Sequence, residues 1–371
     1  MTDENYMRHA LDLAKKGVGF VNPNPLVGAI IVKNNEVIGA GFHEKYGGPH
    51  AEVNAFASLK ESPVGATMYV TLEPCTHYGK TPPCVDAIIQ SGVSRVVVAN
   101  LDPNPLVAGK SLAKMKEAGI TVKLGVLKEE CEALNAVFFH FITTGTPYVT
   151  MKYAMTADGK IATHTKDSKW ITGEVARNHV HKERHRNSAI MIGVNTLTQD
   201  DPMLDCRIPG GRNPIRIICD TALRTPLDSK IVQTASKIPT IFATATTDEK
   251  KHKPFFEHGC EIIVVPDNID KVDLKALMKK LGARGIDSIL LEGGSHLHGS
   301  AIDAGIIQKV QAYIGAKIFG GYDAPSPIAG TGFATVKEAY SLTNPKITQL
   351  ETDFLIEGEV AKEAALCSQE S

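Results

Sequence analysis

Two short pieces of this sequence hold a full set of parts for metal-assisted hydrolysis: His50-Ala51-Glu52, and Pro74-Cys75 followed by Cys84. One imidazole and two thiolates leave the fourth position of a tetrahedral zinc ion open for water, as a catalytic site requires. Zinc lowers the pKa of that water to about 7, so a nucleophile is available at neutral pH. Glu52 stands too close to His50 along the chain to share the metal easily. It suits a proton shuttle from the water to a leaving amine. Taken singly, a histidine is more often a satisfied core or surface residue, and a cysteine a small buried hydrophobe. The combination, and the elements that carry it, point to the metal.

Those elements read clearly. Pro49 to Leu59 opens a helical pattern at His50. Residues 66–72 form a strand that delivers Glu73-Pro74-Cys75 to its end. Pro82 to Ile89 opens a second helix, with proline in the first turn, where its missing N–H is harmless. The three ligands then share one rim. A histidine and glutamate pair of this kind, followed by P-C-x-x-C, is the pattern of enzymes that hydrolyse the amino group of a nucleobase. The spacing differs here, because Thr76 to Pro83 separate the two cysteines.

A chain of 371 residues predicts two domains. Hydrophobic residues at 43% and charged residues at 22% describe ordinary globular composition. A formal net charge of -1 and no long basic run argue against a nucleic-acid partner. The N-terminus has neither the basic nor the apolar region of a signal peptide. Apolar runs such as Val27 to Val32 are too short to span a bilayer, so no membrane partner is expected. Seven cysteines without framework spacing fit a reducing cytoplasm.

In the first half the pattern predicts a helix over 4–17, strands at 26–33 and 36–42, the metal-site elements, a strand at 93–99, a helix at 108–118, a strand at 120–126 and a helix at 128–143. This is an α/β sandwich with a mixed sheet. Gly145-Thr146-Pro147 marks the boundary, giving domains 1–145 and 146–371. The second half predicts strands at 148–156, 188–194, 214–219, 239–245, 261–265 and 286–291, and helices at 173–186, 270–283 and 296–304. Residues 310–318 and 347–360 read as an antiparallel hairpin or edge on a mostly parallel sheet.

The second half has no G-x-G-x-x-G after a strand, which disfavours a Rossmann dinucleotide fold. Its strand Ser288 to Leu291 runs instead into Glu292-Gly293-Gly294-Ser295 and a helix. Such glycines expose backbone N–H groups to a phosphate, though an ordinary tight βα turn fits the same residues equally well. Lys152 with Asp158-Gly159-Lys160, Ser168-Lys169-Trp170, and the Asn195 to Pro202 loop leading to Arg207 are dense in polar groups. Each also reads as a solvated loop, and Trp170, the single tryptophan, as a core residue.

Along nearly its whole length the chain resembles the bifunctional riboflavin-biosynthesis deaminase–reductases of bacteria. The resemblance rests on Asn24-Pro25-Leu26-Val27-Gly28, His50-Ala51-Glu52, Thr71 through Cys84, Asp102-Pro103-Asn104-Pro105, Asp158 to Ala162, Asp167 to Thr172 and Glu292-Gly293-Gly294. The long gap between the cysteines is that family's own. It implies a cytidine-deaminase-like α/β/α N-domain and a dihydrofolate-reductase-like α/β C-domain. The first would remove the 2-amino group of 2,5-diamino-6-(5-phosphoribosylamino)pyrimidin-4-one with Zn2+. The second would reduce the ribosyl to a ribityl chain with NADPH. By motif position His50, Cys75 and Cys84 would hold zinc and Glu52 would move protons. Asn24, His43, His77 and Lys80 would line the deaminase pocket. Ala154, Trp170, Thr196, Asp200 and the loop Gly294, Ser295, His296, Leu297, His298, Gly299, Ser300 would meet NADPH. Ser168, Arg184, Leu204, Arg207 and Glu292 would meet substrate, the arginines suiting its phosphate. A homo-oligomer, dimer or tetramer, is expected. Lys152, Asp200 and Glu292, placed at the C-terminal rim of the sheet, are the candidates for positioning or proton transfer. Lys152 as a strand-edge charge and Asp200 as a helix or turn cap are the alternative.

Two rivals make other predictions. A nucleic-acid deaminase would need a basic face studded with aromatic residues, against a charge of -1 and 6% aromatic residues. A structural zinc module would close the site with a fourth protein ligand, for which His77 is available, but it has no use for Glu52.

Overall fold

Helix α1 (Asp3–Ala14) begins where the Thr2 side chain accepts from Asn5 N–H and two acidic residues meet the positive helix end. It buries Tyr6, Met7, Ala10, Leu11 and Ala14. The structure is a computed structural model that describes residues 1–76, 83–104 and 108–361. Its first unit spans Met1–Gly145 and its second begins at Thr146.

In the first unit β1 (Gly28–Lys33) and β2 (Glu36–Phe42) form a hairpin. Asn34 and Asn35 turn it with φ of 50° and 66°, as a two-residue hairpin requires. Then follow α2 (Ala51–Ala57), β3 (Thr67–Val70), α3 (Cys84–Gln90), β4 (Arg95–Val98), α4 (Lys110–Glu117), β5 (Thr121–Leu124), α5 (Lys128–Leu134) and α6 (Ala136–Thr144). The sheet order is β2-β1-β3-β4-β5, with β3, β4 and β5 parallel. The strands alternate between two cores. Ala29, Ile31, Met68, Val70, Val96 and Val98 face α2, α3 and α4. Ile30, Val32, Tyr69 and Val97 face α1 and α5. The α1 side packs so closely that a Cβ on Gly28 would lie 2.0 Å from the Ala10 carbonyl.

The continuous helix expected over 128–143 is broken at Asn135. Its Oδ1 accepts from Leu26 N–H at 2.8 Å and its Nδ2 donates to Leu26 O at 3.0 Å. A side chain that serves a distant strand entrance interrupts the local helix. The unit's ends are also tied by Arg8 with Glu130 at 2.7 Å and Lys123 with Asp3 at 2.7 Å. Asp3 takes two further bonds from Arg95, at 2.9 and 2.7 Å, and one from the Tyr69 hydroxyl at 2.9 Å. Arg95, helped by Lys123, holds the Asp3 carboxyl well below the usual carboxylate range. A depressed carboxylate pKa contributes stability above the unfolded value and loses it as pH falls through the folded value. Asp3→Asn should therefore lower the melting temperature at pH 7 and flatten its decline below about pH 4. Thermal melts of both proteins across that range check this; equal slopes would refute it.

The second unit contains β6 (Tyr148–Thr156), α7 (Glu174–Arg186), β7 (Ala189–Gly193), α8 (Val194–Asp200), β8 (Ile215–Cys219), α9 (Lys230–Gln233), β9 (Thr240–Thr244), α10 (Glu249–Glu257), β10 (Glu261–Val264), α11 (Leu274–Gly282), β11 (Ser288–Gly293), α12 (Ser295–Asp303), β12 (Lys309–Gly315), β13 (Leu342–Leu350) and β14 (Asp353–Val360). The order is β10-β9-β8-β7-β11-β6-β12-β14-β13. Pairing is parallel from β10 to β12 and antiparallel beyond. Strand β7 and the Ile289–Leu291 stretch of β11 are apolar, as a sheet covered on both faces demands.

Three expectations need correction. The Asn195–Asp200 stretch is helix α8. Its Thr198 hydroxyl donates to the Val194 and Asn195 carbonyls, and the turn closes at Asp201 with φ of 39°. Residues 347–360 are two strands, turned at Glu351 with φ of 57°. Helix α10 was not expected, since its charge-rich sequence contains Pro254; the Asp248 cap starts it. Among the described residues no helix is long and apolar enough to cross a membrane.

Candidate active sites

In the first unit His50 is the N-cap of α2, Cys84 is the first residue of α3, and Cys75 lies just beyond β3. Their ligand atoms all lie within 4.8 Å of one another. His50 Nδ1 is 3.3 Å from Cys84 Sγ and 3.6 Å from Cys75 Sγ. The Cys84 thiol and then His50 stabilise the Cys75 thiolate and push it down to about 4, while Cys84 is raised. One imidazole and two convergent sulfurs match the donor set of an open zinc site. Glu52 is buried at 4% exposure and is not one of the three convergent donors.

Beside them His43 Nδ1 faces the Pro49 carbonyl at 2.9 Å, so that nitrogen carries the proton. Its Nε2 then accepts from Asn24 Nδ2 at 3.1 Å. Burial lowers the His43 pKa and keeps the ring neutral. The His43 and His50 rings meet edge to face at 5.7 Å. Asn24 and His43 are thus brought to the metal-ligand cluster. His77 and Lys80 lie outside the described residues.

Sequence reasoning gave Glu73 no role. Its carboxylate is buried and accepts from Asp102 N, Gly109 N, Ser111 N and the Ser111 hydroxyl at 3.3, 2.9, 3.1 and 2.8 Å. It fixes the start of α4 and the 102–104 segment to the chain that carries Cys75. The signal was its place between a strand end and Pro74-Cys75. Glu73→Gln replaces an acceptor facing four donors by one with half that capacity. It should cost about 1–3 kcal/mol in stability of this unit. Denaturant unfolding at matched zinc content measures it, and an unchanged midpoint would refute it.

In the second unit Lys152, Arg184 and Glu292 come together. Arg184 Nε and Nη2 hold the Glu292 carboxylate at 2.8 and 2.9 Å, and Lys152 Nζ stands 3.8 Å from it. Burial would raise the Glu292 pKa, but the Arg184 and Lys152 charges overcome this and hold it at about 2. Burial lowers the Lys152 pKa, and Glu292 only partly opposes it. Lys152 also lies 5.7 Å from the Tyr313 ring centre. The Tyr313 hydroxyl shares a 2.8 Å bond with His179 Nδ1. Tyr313 and His179 were not foreseen; a tyrosine in a strand carries no sign of the lysine on the neighbouring strand. Among the described residues no hydrogen bond or ion pair joins Asp200 to this cluster.

Gly293 ends β11 and Gly294 is the N-cap of α12. A Cβ on Gly294 would lie 2.9 Å from Thr196 Oγ1, and one on Gly299 1.8 Å from the Ala329 carbonyl. Thr196 on α8 therefore approaches the N-cap of α12 closely at Gly294, while Gly299 lets α12 pack on the chain at Ala329. This fits a phosphate-bearing cofactor. Ser295 and Leu297 are half-buried, His296 and Ser300 exposed. The His298 ring is buried between the Pro327 and Leu291 carbonyls. Trp170 is not a core residue: it is 60% exposed, with the Arg177 guanidinium 4.7 Å over its ring. Ala154 pairs with Tyr313 across β6 and β12. Ser168 is half-buried, Leu204 is buried with φ of 51°, and Arg207 is exposed, bonded to Asp205 at 3.1 Å.

The family model for the cytidine and deoxycytidylate deaminase zinc-binding region matches residues 1–100, and that for the RibD C-terminal domain matches residues 147–356. The riboflavin biosynthesis protein RibD of Actinobacillus pleuropneumoniae is 51% identical over 357 residues, 96% of this chain and 95% of that protein. The Escherichia coli K12 protein of the same name is 39% identical, over 86% and 89%. The crystal structure of a diaminohydroxyphosphoribosylaminopyrimidine deaminase/5-amino-6-(5-phosphoribosylamino)uracil reductase from Thermotoga maritima superposes with a TM-score of 0.85 at 37% identity, covering 97% and 99% of the two chains. Acinetobacter baumannii RibD gives 0.87 at 34%, with the same coverage. With two family models in order along one sequence, and relatives matched over nearly their full length, the chain belongs to the RibD family of zinc- and NADPH-dependent deaminase–reductases of riboflavin biosynthesis.

Proposed function

We propose that residues 1–145 hydrolyse the 2-amino group of 2,5-diamino-6-(5-phosphoribosylamino)pyrimidin-4(3H)-one, and that residues 146–371 reduce the resulting 5-amino-6-(5-phosphoribosylamino)uracil to its ribityl form. The observation that carries this reading is the convergence of His50, Cys75 and Cys84 within 4.8 Å beside buried Glu52.

Zinc, when bound by these three residues, supplies a water acidic enough to attack at neutral pH. The C–O bond forms as the C–N bond breaks, and ammonia leaves. Glu52 takes the proton from the water and returns it to the departing nitrogen. Asn24 and the neutral His43 orient the pyrimidine, with His77 and Lys80 completing the pocket.

In the second unit NADPH, when bound along Ala154, Trp170, Thr196, Asp200 and the Gly294–Ser300 segment, supplies the hydride for C1′. The N-glycoside must first open, which needs a proton at the ring oxygen. Lys152 is the donor in this reading. Glu292, held by Arg184, orients Lys152 and the ribose hydroxyls. Ser168 and Leu204 border the substrate, and Arg207 meets its phosphate. The scattered cysteines support a cytoplasmic protein, and the sequence resemblance supports a homo-oligomer, a dimer or tetramer.

Incubation with the diaminopyrimidine should yield, by mass, the exchange of an amino group for oxygen. Adding NADPH should further add two hydrogens. The Cys84→Ser protein should lose zinc and the first change, yet still oxidise NADPH with supplied deaminated substrate. Loss of both steps in a folded variant would overturn the division of labour.

A further inference from the structure

Arg177, His181 and Arg184 lie on one stripe of α7, four and then three residues apart, so their side chains share a face. The chain at 205–207 is fastened to that stripe. Cys206 Sγ donates to the His181 carbonyl at 3.5 Å, and Arg184 Nη1 to the Asp205 carbonyl at 3.0 Å. Arg207 Nε donates to Asp205 Oδ1 at 3.1 Å. The Arg184 fork is already filled by Glu292, which leaves Arg207 as the less committed of the two arginines. His181 Nδ1 is buried and has no hydrogen-bond partner among the described residues. A buried polar atom left unpaired asks for a ligand that completes it. Burial, Arg184 and Arg207 favour the neutral ring, against Asp205 and Glu292. A neutral ring can still carry its proton on Nδ1 and donate it.

We propose that His181 is a donor to the substrate's phosphate monoester, working with Arg207 while Arg184 serves Glu292. This rests on the reading that Arg207 meets that phosphate. A cationic helix face and the fastened 205–207 chain form the two sides of the subsite, and the unpaired imidazole nitrogen fills the gap the committed arginine leaves. The residue would thus set the preference for phosphorylated substrate over the bare riboside.

The test is steady-state NADPH oxidation by the full-length protein, using deaminated substrate and its dephosphorylated riboside. In H181L the ratio of kcat/KM for the phosphorylated over the dephosphorylated compound should fall roughly ten- to hundred-fold, the range for a bond to a charged group. The fall should lie in KM for the phosphorylated compound. H181N places an amide N–H near the Nδ1 position and should restore most of the ratio, whereas H181Q, reaching the Nε2 position, should not. An unchanged ratio in H181L overturns the proposal. If H181L does not fold, H181Q and H181N decide: equal ratios, or the reverse order, overturn it. A parent protein that does not reduce either compound overturns the reading of the site and this proposal with it. A working parent with an unaffected H181L overturns the proposal alone.

Discussion

Glu52→Gln should leave zinc bound at the parent stoichiometry and reduce deamination by about 10⁴-fold, the upper range for a lost general acid–base group. Two features set the size of the effect. Glu52 lies outside the convergent His50, Cys75 and Cys84 donors, so glutamine should not disturb the metal. It also serves two proton transfers, one from the water and one to the leaving nitrogen, and an amide can perform neither. Its place in the first turn of α2, two residues beyond the N-cap His50, holds the two side chains in fixed relation. Metal content and turnover must be measured on the same preparation. A variant that loses its zinc, or that keeps most of its turnover, would remove Glu52 from this role.

The second large effect is expected at Lys152. Lys152→Ala should lower the single-turnover rate of NADPH oxidation by at least about 10²-fold at saturating substrate, whereas Asp200→Ala, outside the Lys152–Glu292–Arg184 cluster, should change it far less. The pH profile carries a second signature. Burial lowers the Lys152 pKa below that of an ordinary lysine, while Glu292 opposes the shift. A group donating as an ammonium works below its folded pKa and fails above it. The rate should therefore decline at high pH with a midpoint below about 10.4, the free lysine value, and Lys152→Ala should lose that limb. Parent-level oxidation in Lys152→Ala would leave only the cradle assignment standing.

Element types were legible where pattern and length agreed. The strand at 148–156 and the hairpin strand at 36–42 fall where periodicity put them. The zinc trio was legible because its residue types are chemically costly to place together by chance. What escaped were features decided by distant partners. Asn135 reads as one more helical residue until Leu26, 109 positions away, claims both ends of its amide. Glu73 reads as a motif neighbour until Gly109 and Ser111 surround it. Trp170 reads as core because tryptophan is large and apolar; Arg177 stacking holds it at the surface instead. The glycines after β11 read equally as a turn or a phosphate site, and nothing in the local sequence signals that Thr196, from another helix, approaches Gly294.

The ties across the first unit bear on its synthesis. Arg8 meets Glu130, 122 positions later, and Lys123 and Asn135 reach back to Asp3 and Leu26 across 120 and 109 positions. None of these bonds can form on a ribosome until the last of their partners has left the exit tunnel. At about 5–20 residues per second, these ties form many seconds after α1 has emerged, whereas its apolar stripe can meet β1 much sooner. The nascent first unit thus reaches its full set of ties only once Asn135 has emerged.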